Sequence, residues 1–173
     1  MTTLFRLNGW LVRTLAVLAV LIIAAMMLGI SAEVVLRTLS FPSIPGMIEL
    51  TEYGLFISTF FVAPYLLRTN QHIRVDIAMS RVDPAVARRV ECGVLATICA
   101  ISLITGLVGV SVMVTSIRDG TMVFKDLVFP QWWLEWIIPL TSLAMALQAS
   151  EMLIALWHGA PSVGDAAGPE RVP

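Results

Sequence analysis

The sequence predicts an all-α integral membrane protein with four transmembrane helices, and three observations predict it. The 173 residues are 58% hydrophobic and only 13% charged, with a mean hydropathy of +0.87; an average soluble domain carries about 25% charged residues. Four long apolar runs are separated by short polar breaks. Basic residues are spread unequally: the break from Leu66 to Arg89 holds five of the eleven lysines and arginines and one of the two histidines. Such a chain cannot cover a water-facing surface, and it leaves essentially no room for a separate soluble domain. The net charge of −1 says little about partners, whereas the placement of charge says more.

Arg6, Trp10 and Arg13 precede a charge-free run from Thr14 to Ala32. As a helix it would be about 28 Å long, close to the roughly 30 Å hydrocarbon core. A signal-peptide core is only about 7–15 residues long, so an uncleaved first helix is expected over about 11–36. Glu33 and Arg37 stand one turn apart at its far end, in the orientation that suits an i,i+4 ion pair. The stretch Phe41-Pro42-Ser43-Ile44-Pro45-Gly46 reads as a turn, because two prolines and a glycine cannot continue a helix.

The second helix is expected over 46–67. Its charge-free part, Tyr53 to Leu67, covers only about 22 Å, so Glu52 and also Glu49 fall at the bilayer boundary or slightly inside it. Pro64 lies one turn from the opposite end, where a kink is cheap. Between this helix and the next, Ile73, Val75, Ile77, Met79 and Val82 alternate with Arg74, Asp76 and Arg81. That pattern fits a short interfacial helix only loosely, since alternation also reads as extended.

Asp83-Pro84 pairs an N-cap acid with proline at the first helical position, and the third helix is expected over 84–117. Its apolar part, from Cys92, is about 39 Å long, so the helix should tilt or protrude. Arg118-Asp119-Gly120 ends it, and a short loop through Lys125 and Asp126 leads to Pro130. The fourth helix is expected over 133–157. Trp136 and Trp157 lie about 31 Å apart along it, which suits an aromatic anchor at each interface. These helices make residues 1–158 one transmembrane domain; the Gly-, Ala- and Pro-rich stretch 159–173 reads as a disordered cytoplasmic tail.

Sidedness follows from the basic residues. Arg6, Arg13, Arg68, Arg74, Arg81, Arg88, Arg89 and Arg171 fall on one face, and Arg37, Arg118 and Lys125 on the other. The positive-inside bias puts both termini and the arginine-rich segment between helices 2 and 3 in the cytoplasm. The expected topology is N-in/C-in.

Little in the chain points to catalysis. His72 and His158 both lie at the cytoplasmic edge, where they cannot face one another as haem ligands. Cys92 and Cys99 would sit roughly 10 Å apart on one helix, too far for a disulfide; they read as small buried residues. No zinc spacing, phosphate loop or nucleophile motif is present, so no catalytic, cofactor or metal residue is assigned. A self-contained transporter needs an ionisable group at mid-membrane. Glu33, Glu49, Glu52, Glu135 and Glu151 all fall near helix ends instead. If the chain belongs to a transport system, another chain handles the substrate. What the helices offer is packing surface: Ala25-x3-Gly29, Cys92-x3-Ala96-x3-Ala100, Ser102-x3-Gly106 and Ser142-x3-Ala146-x3-Ser150 are ridges of small residues.

With these features in order, the chain resembles the small membrane (DctQ-type) subunit of tripartite ATP-independent periplasmic (TRAP) transporters. The resemblance rests on Glu33-Val34-Val35-Leu36-Arg37, then Ile48-Glu49-Leu50-Thr51-Glu52-Tyr53, and most specifically Arg68-Thr69-Asn70-Gln71-His72-Ile73-Arg74-Val75-Asp76. Arg118-Asp119-Gly120, Pro130-Gln131-Trp132-Trp133 and Ile138-Pro139-Leu140 follow at family spacing. Gln71 departs from it where a glycine is frequent, and Lys125 and Asp126 make the last loop more charged than usual.

The resemblance implies sodium-coupled import of an organic acid by three proteins in the bacterial inner membrane and periplasm. A periplasmic binding protein captures the substrate, a large membrane subunit moves it with an elevator-like motion, and the small subunit is a fixed scaffold. No cofactor is implied. On that reading His72, Arg74 and Asp76 fix the cytoplasmic segment, while Arg68, Arg88 and Arg89 meet lipid phosphate or the large subunit. The plainer reading of the arginines is ordinary positive-inside charge, and His72 and Asp76 would pair with each other on a helix. On the other side, Arg37, Glu49, Glu52, Trp132 and Trp133 form a rim that would dock the binding protein, although Glu49 and Glu52 also suit Arg37 as ion-pair partners. Two readings from other classes stay open: a homo-oligomeric proton-coupled exporter with Glu52 as its coupling carboxylate, and a membrane anchor for a redox enzyme.

Overall fold

The computed structural model describes residues 2–42, 45–69, 84–125 and 127–158. Helix α1 is Thr2–Thr38, α2 is Met47–Arg68 and α3 is Pro84–Asp119. A two-stranded antiparallel hairpin follows, β1 at Met122–Phe124 and β2 at Val128–Pro130. The chain ends in a four-residue helix α4, Trp132–Glu135, and α5, Ile137–Trp157. Four stretches are long and apolar enough to cross a membrane: Arg6–Thr38, Met47–Arg68, Arg88–Asp119 and Trp132–Trp157. The expected helices are therefore present. The expected short loop before the last of them is instead the β-hairpin.

The break between α4 and α5 has a local cause. Pro139 has no N–H to give the Glu135 carbonyl four residues back, and its ring crowds that carbonyl. The run expected as one helix over 133–157 is accordingly divided at Trp136. Two left-handed residues close α1 and α3. Gly120 at φ 60° lets Thr121 N–H reach back to the Ser116 carbonyl at 3.1 Å, a Schellman-type closure. After α1 the same closure, Phe41 N–H to the Leu36 carbonyl at 3.0 Å, is made with Ser40 at φ 61°.

The spans pack as two antiparallel pairs joined through α5. In the first pair Gly29 lies against Met47, Gly54 against Met26 and Ile22, and Gly9 against Arg68, which sets one register along α1 and α2. In the second, Gly109 lies against Ile138 and Pro139, Gly106 against Ser142, and the Cys99 thiol 3.9 Å from the Ala146 carbonyl. Of the small-residue ridges, Ser102-x3-Gly106 meets Ser142-x3-Ala146, but Ala96 and Ala100 are exposed. The face of α3 turned to α5 carries Leu95, Cys99, Ser102, Gly106 and Gly109 instead.

Helix α5 packs against α1, α2 and α3, and 39% of the residues in an apolar 18-residue stretch of its span are buried, against 11% in such a stretch of the α3 span and 17% in that of the α1 span. Two apolar clusters result. Leu15, Ala19, Phe61 and Ile137 form one, and Leu67, Leu95, Ala149 and Leu156 form the other. The outer faces of α1 and α3 stay uncovered, with Leu28 and Leu107 each 73% exposed. In a chain of four spans that surface is solvated by lipid or by another subunit.

The turn residues generate a stability prediction. A non-glycine residue in the left-handed region costs roughly 1–2 kcal/mol, so Ser40→Gly should raise the thermal midpoint of the detergent-purified protein. Gly46→Ala should lower it, because Gly46 has φ 74° and an added Cβ would stand 3.2 Å from Leu127. Equal midpoints for the two variants would contradict both assignments.

Candidate interfaces at the two ends of the bundle

At one end, the β-hairpin lies against the first two turns of α2. The Lys125 ammonium pairs with a Glu52 carboxylate oxygen at 2.8 Å and stands 5.5 Å from the Tyr53 ring centre. The Leu127 N–H donates to the Glu49 carboxylate at 2.9 Å. Phe129 meets Tyr53 edge-on at 5.2 Å and stacks on Trp133 at 6.3 Å, and Trp133 meets Trp132 edge-on at 6.1 Å. The two carboxylates thus hold the polar tip of the hairpin, and the aromatic rings hold its strands. The hydrogen bond that Lys125 donates to the Glu52 carboxylate raises the Lys125 pKa above the ordinary lysine value.

Of the rim residues read from the sequence, the structure brings Glu49, Glu52, Trp132 and Trp133 together around this hairpin. Arg37 sits exposed in the last turn of α1. Glu52 pairs with Lys125, not with the Arg37 suggested by charge alone. Its side chain is 61% exposed, so it does not sit deep within this chain as a coupling carboxylate. Sequence reasoning missed Lys125, Leu127, Phe129 and Tyr53 as members of the group. The available signal was two triplets of strand-forming residues, Met122-Val123-Phe124 and Val128-Phe129-Pro130, flanking a polar Lys125-Asp126 turn. Nearby Glu135 is only 7% exposed. Gln131 donates to one of its carboxylate oxygens at 2.8 Å. Its other oxygen and the Tyr53 hydroxyl are buried without a partner among the described residues.

At the opposite end, where both described termini lie, arginines cap carbonyls. Arg68, in the last turn of α2, donates to the Gly9 carbonyl of α1 at 2.7 Å. Arg88, in the second turn of α3, donates to the Leu156 carbonyl in the last turn of α5. That turn of α5 has no basic residue of its own, so Arg88 supplies the cation its dipole favours. Each guanidinium has five N–H donors, which leaves donors for a further acceptor. Arg89 is exposed and points to no acceptor of this chain among the hydrogen bonds described. His72, Arg74 and Asp76, with the rest of 70–83, lie outside the described residues, as does the tail 159–173. Asn8 and Gln148 are buried at this end, 4% and 3% exposed, and Gln148 reaches Glu151 at 3.4 Å.

Between the two ends the described buried polar side chains are hydroxyls such as Ser58, Ser102, Thr141 and Ser142, and none is charged. A groove of about 350 Å³ lies between α3 and α5 and is lined by Ser102, Gly106, Pro139 and Leu143 among others. Its only side-chain polar groups are serine hydroxyls, which provide no charge to bind an ionic substrate. Among the described residues no three His, Cys, Asp or Glu side chains converge to hold a metal ion.

Two measurements check these contacts. Lys125 is the sole lysine of the sequence, so an amine-reactive acylating reagent reads it directly beside the N-terminal amine. Its raised pKa means that the ion pair is complete below the ordinary lysine value and is lost as pH rises through the raised one. Glu52→Gln should therefore speed acylation of Lys125 severalfold at pH about 9, and an unchanged rate would mean that no ion pair forms. Arg68→Ala should lower stability by about 1–2 kcal/mol through loss of the charge-assisted bond to Gly9, read by urea unfolding in detergent, whereas Arg89→Ala should change it little.

The comparisons agree with this architecture. Residues 26–159 match the family model described as tripartite ATP-independent periplasmic transporters, DctQ component. No curated protein and no solved structure matches the chain. The matched region takes in α2, α3, the hairpin and α5, together with the arginine-bearing end of the bundle and the carboxylates that hold the hairpin. The chain belongs to the DctQ family and is a small permease subunit of a TRAP transporter.

Proposed function

We propose that this subunit is the stationary, non-catalytic scaffold of its transporter. It anchors the large membrane subunit during sodium-coupled uptake of an organic acid delivered by a periplasmic binding protein. The observation that carries this reading is the uneven burial of the spans: only 11% of the residues in an apolar 18-residue stretch of the α3 span, and 17% in that of the α1 span, are buried within the chain. Two long helices with uncovered apolar faces supply surface for a partner, and a described interior without buried charge between the ends leaves the substrate to that partner.

The orientation belongs to the same proposal. With N-in/C-in topology in a bacterial inner membrane, the arginine end faces the cytoplasm and the hairpin end the periplasm. Arg68, Arg88 and Arg89, with His72, Arg74 and Asp76 of the adjoining segment, then meet lipid phosphate or the cytoplasmic edge of the large subunit. Arg37, Glu49, Glu52, Trp132 and Trp133 form the rim offered to the binding protein.

Mild solubilisation of native membranes and affinity isolation of a tagged chain test the reading. One large polytopic partner at equal stoichiometry is the expected result. A homo-oligomer alone, retained across several detergents, would overturn it. In the intact system Glu52→Gln should leave the maximal uptake rate within about twofold, as expected of a group outside the transport step; abolished uptake with normal assembly would restore Glu52 as a coupling group.

A further inference from the structure

The β-hairpin has two faces of unusual composition. Pairing sets Met122 opposite Pro130, Val123 opposite Phe129 and Phe124 opposite Val128. Alternation along each strand therefore puts Val123 and Phe129 on one face, and Met122, Phe124, Val128 and Pro130 on the other. The first face is the inner one, since Phe129 meets Tyr53 and Trp133. On the outer face Phe124 is 79%, Val128 58% and Met122 41% exposed. A hairpin with one face in water would carry polar residues there. This one carries none.

Its depth follows from what it touches. Helix α2 has 22 residues, about 33 Å at 1.5 Å per residue, which barely spans the roughly 30 Å hydrocarbon core. The first two turns of α2 thus lie in the outermost part of the bilayer. The contacts of the described hairpin residues with α2 fall on those turns or the residue before them: Leu127 with Gly46 and Glu49, Lys125 with Glu52, and Phe129 with Tyr53. Trp132 and Trp133, 38% and 55% exposed, follow it directly, and tryptophan concentrates at membrane interfaces. The polar backbone at the two ends of the hairpin is also engaged. Gln131 N–H bonds the Thr121 carbonyl at 3.1 Å, and Leu127 N–H is held by Glu49.

We infer that the outer face of this hairpin is a lipid-binding surface, with Met122, Phe124 and Val128 inserted at the boundary between headgroups and acyl chains. Glu49 and Glu52 set its depth by neutralising the hairpin's ammonium and backbone N–H, which lets a polar turn lie beside the outer turns of a membrane span. The inference needs only that the chain crosses a bilayer, so it stands or falls separately from the scaffold role.

Site-directed spin labelling tests it in the full chain with Cys92→Ala and Cys99→Ala. Nitroxide is placed through Phe124→Cys or Val128→Cys on the outer face and through Thr38→Cys as a reference at the end of α1. Collision rates with oxygen and with a water-soluble nickel chelate are measured in phosphatidylethanolamine–phosphatidylglycerol vesicles, for the chain alone and for its complex with the large subunit. The ratio of oxygen to nickel collisions should be severalfold higher at 124 and 128 than at 38 in both preparations. A ratio at or below that of position 38 in the chain alone puts the face in water and overturns the inference. Shielding from both reagents in the complex would make the face a protein contact, which also overturns it. Using two labelled positions guards against a single perturbing substitution.

Discussion

Close approach along α5 is the constraint on which the rest of the packing depends. The buried positions of this helix are mostly small, with Thr141, Ser142, Ala144, Ala146 and Ala149 among them. In lipid there is no hydrophobic drive to bring one apolar helix to another, so association relies on dispersion contacts that only closely spaced backbones can make. Small side chains on α5 let α2 and α3 approach it, and Gly106 and Gly109 repeat the device on α3. A larger residue at Ala149, which has no exposed surface, would separate the pair α1–α2 from the pair α3–α5.

The ends of the helices face a different requirement. Several polar groups near these ends take partners from a neighbouring element. Arg68 of α2 bonds a carbonyl of α1, and Arg88 of α3 bonds a carbonyl of α5. At the other end Glu49 and Glu52 of α2 bond the hairpin that leads into α4. Each of these contacts also ties two elements together. The apolar middle gives the helices their proximity; the polar ends fix which neighbour each one has and at what height.

Much of this was legible in the sequence because it depends on composition over long windows. Four spans and their sizes follow from apolar length alone, and the same runs place Glu49, Glu52, Arg68 and Arg88 at helix ends. Pairing was less legible. Ala96 and Ala100 continue the small-residue spacing of Cys92, as Gly106 continues that of Ser102, yet both alanines are exposed while Ser102 and Gly106 face α5. Spacing reports that a ridge exists, while the face it occupies depends on which neighbour arrives, a property of the whole bundle. The hairpin was read as a loop because its strands have three residues each, too few for alternation to stand out against apolar surroundings. Pro139 was visible, but its effect four residues upstream requires the helix to continue through Trp136 in the first place.

The hairpin changes what the membrane-boundary carboxylates mean. An acidic residue inside the predicted limits of a span is by default a candidate for ion or proton coupling, because leaving it charged and unpaired in hydrocarbon is costly. Here Glu52 has an ammonium partner at 2.8 Å and Glu49 a backbone donor at 2.9 Å, both delivered by one nine-residue segment, 122–130. The cost of the two carboxylates and the cost of a charged turn at the bilayer edge are met by the same contacts. That mutual satisfaction explains how the first two turns of α2 accommodate acids at the bilayer edge. It also explains why the sole lysine of the sequence stands at the tip of the hairpin, where it reaches Glu52 while the apolar strands on either side remain free to face lipid.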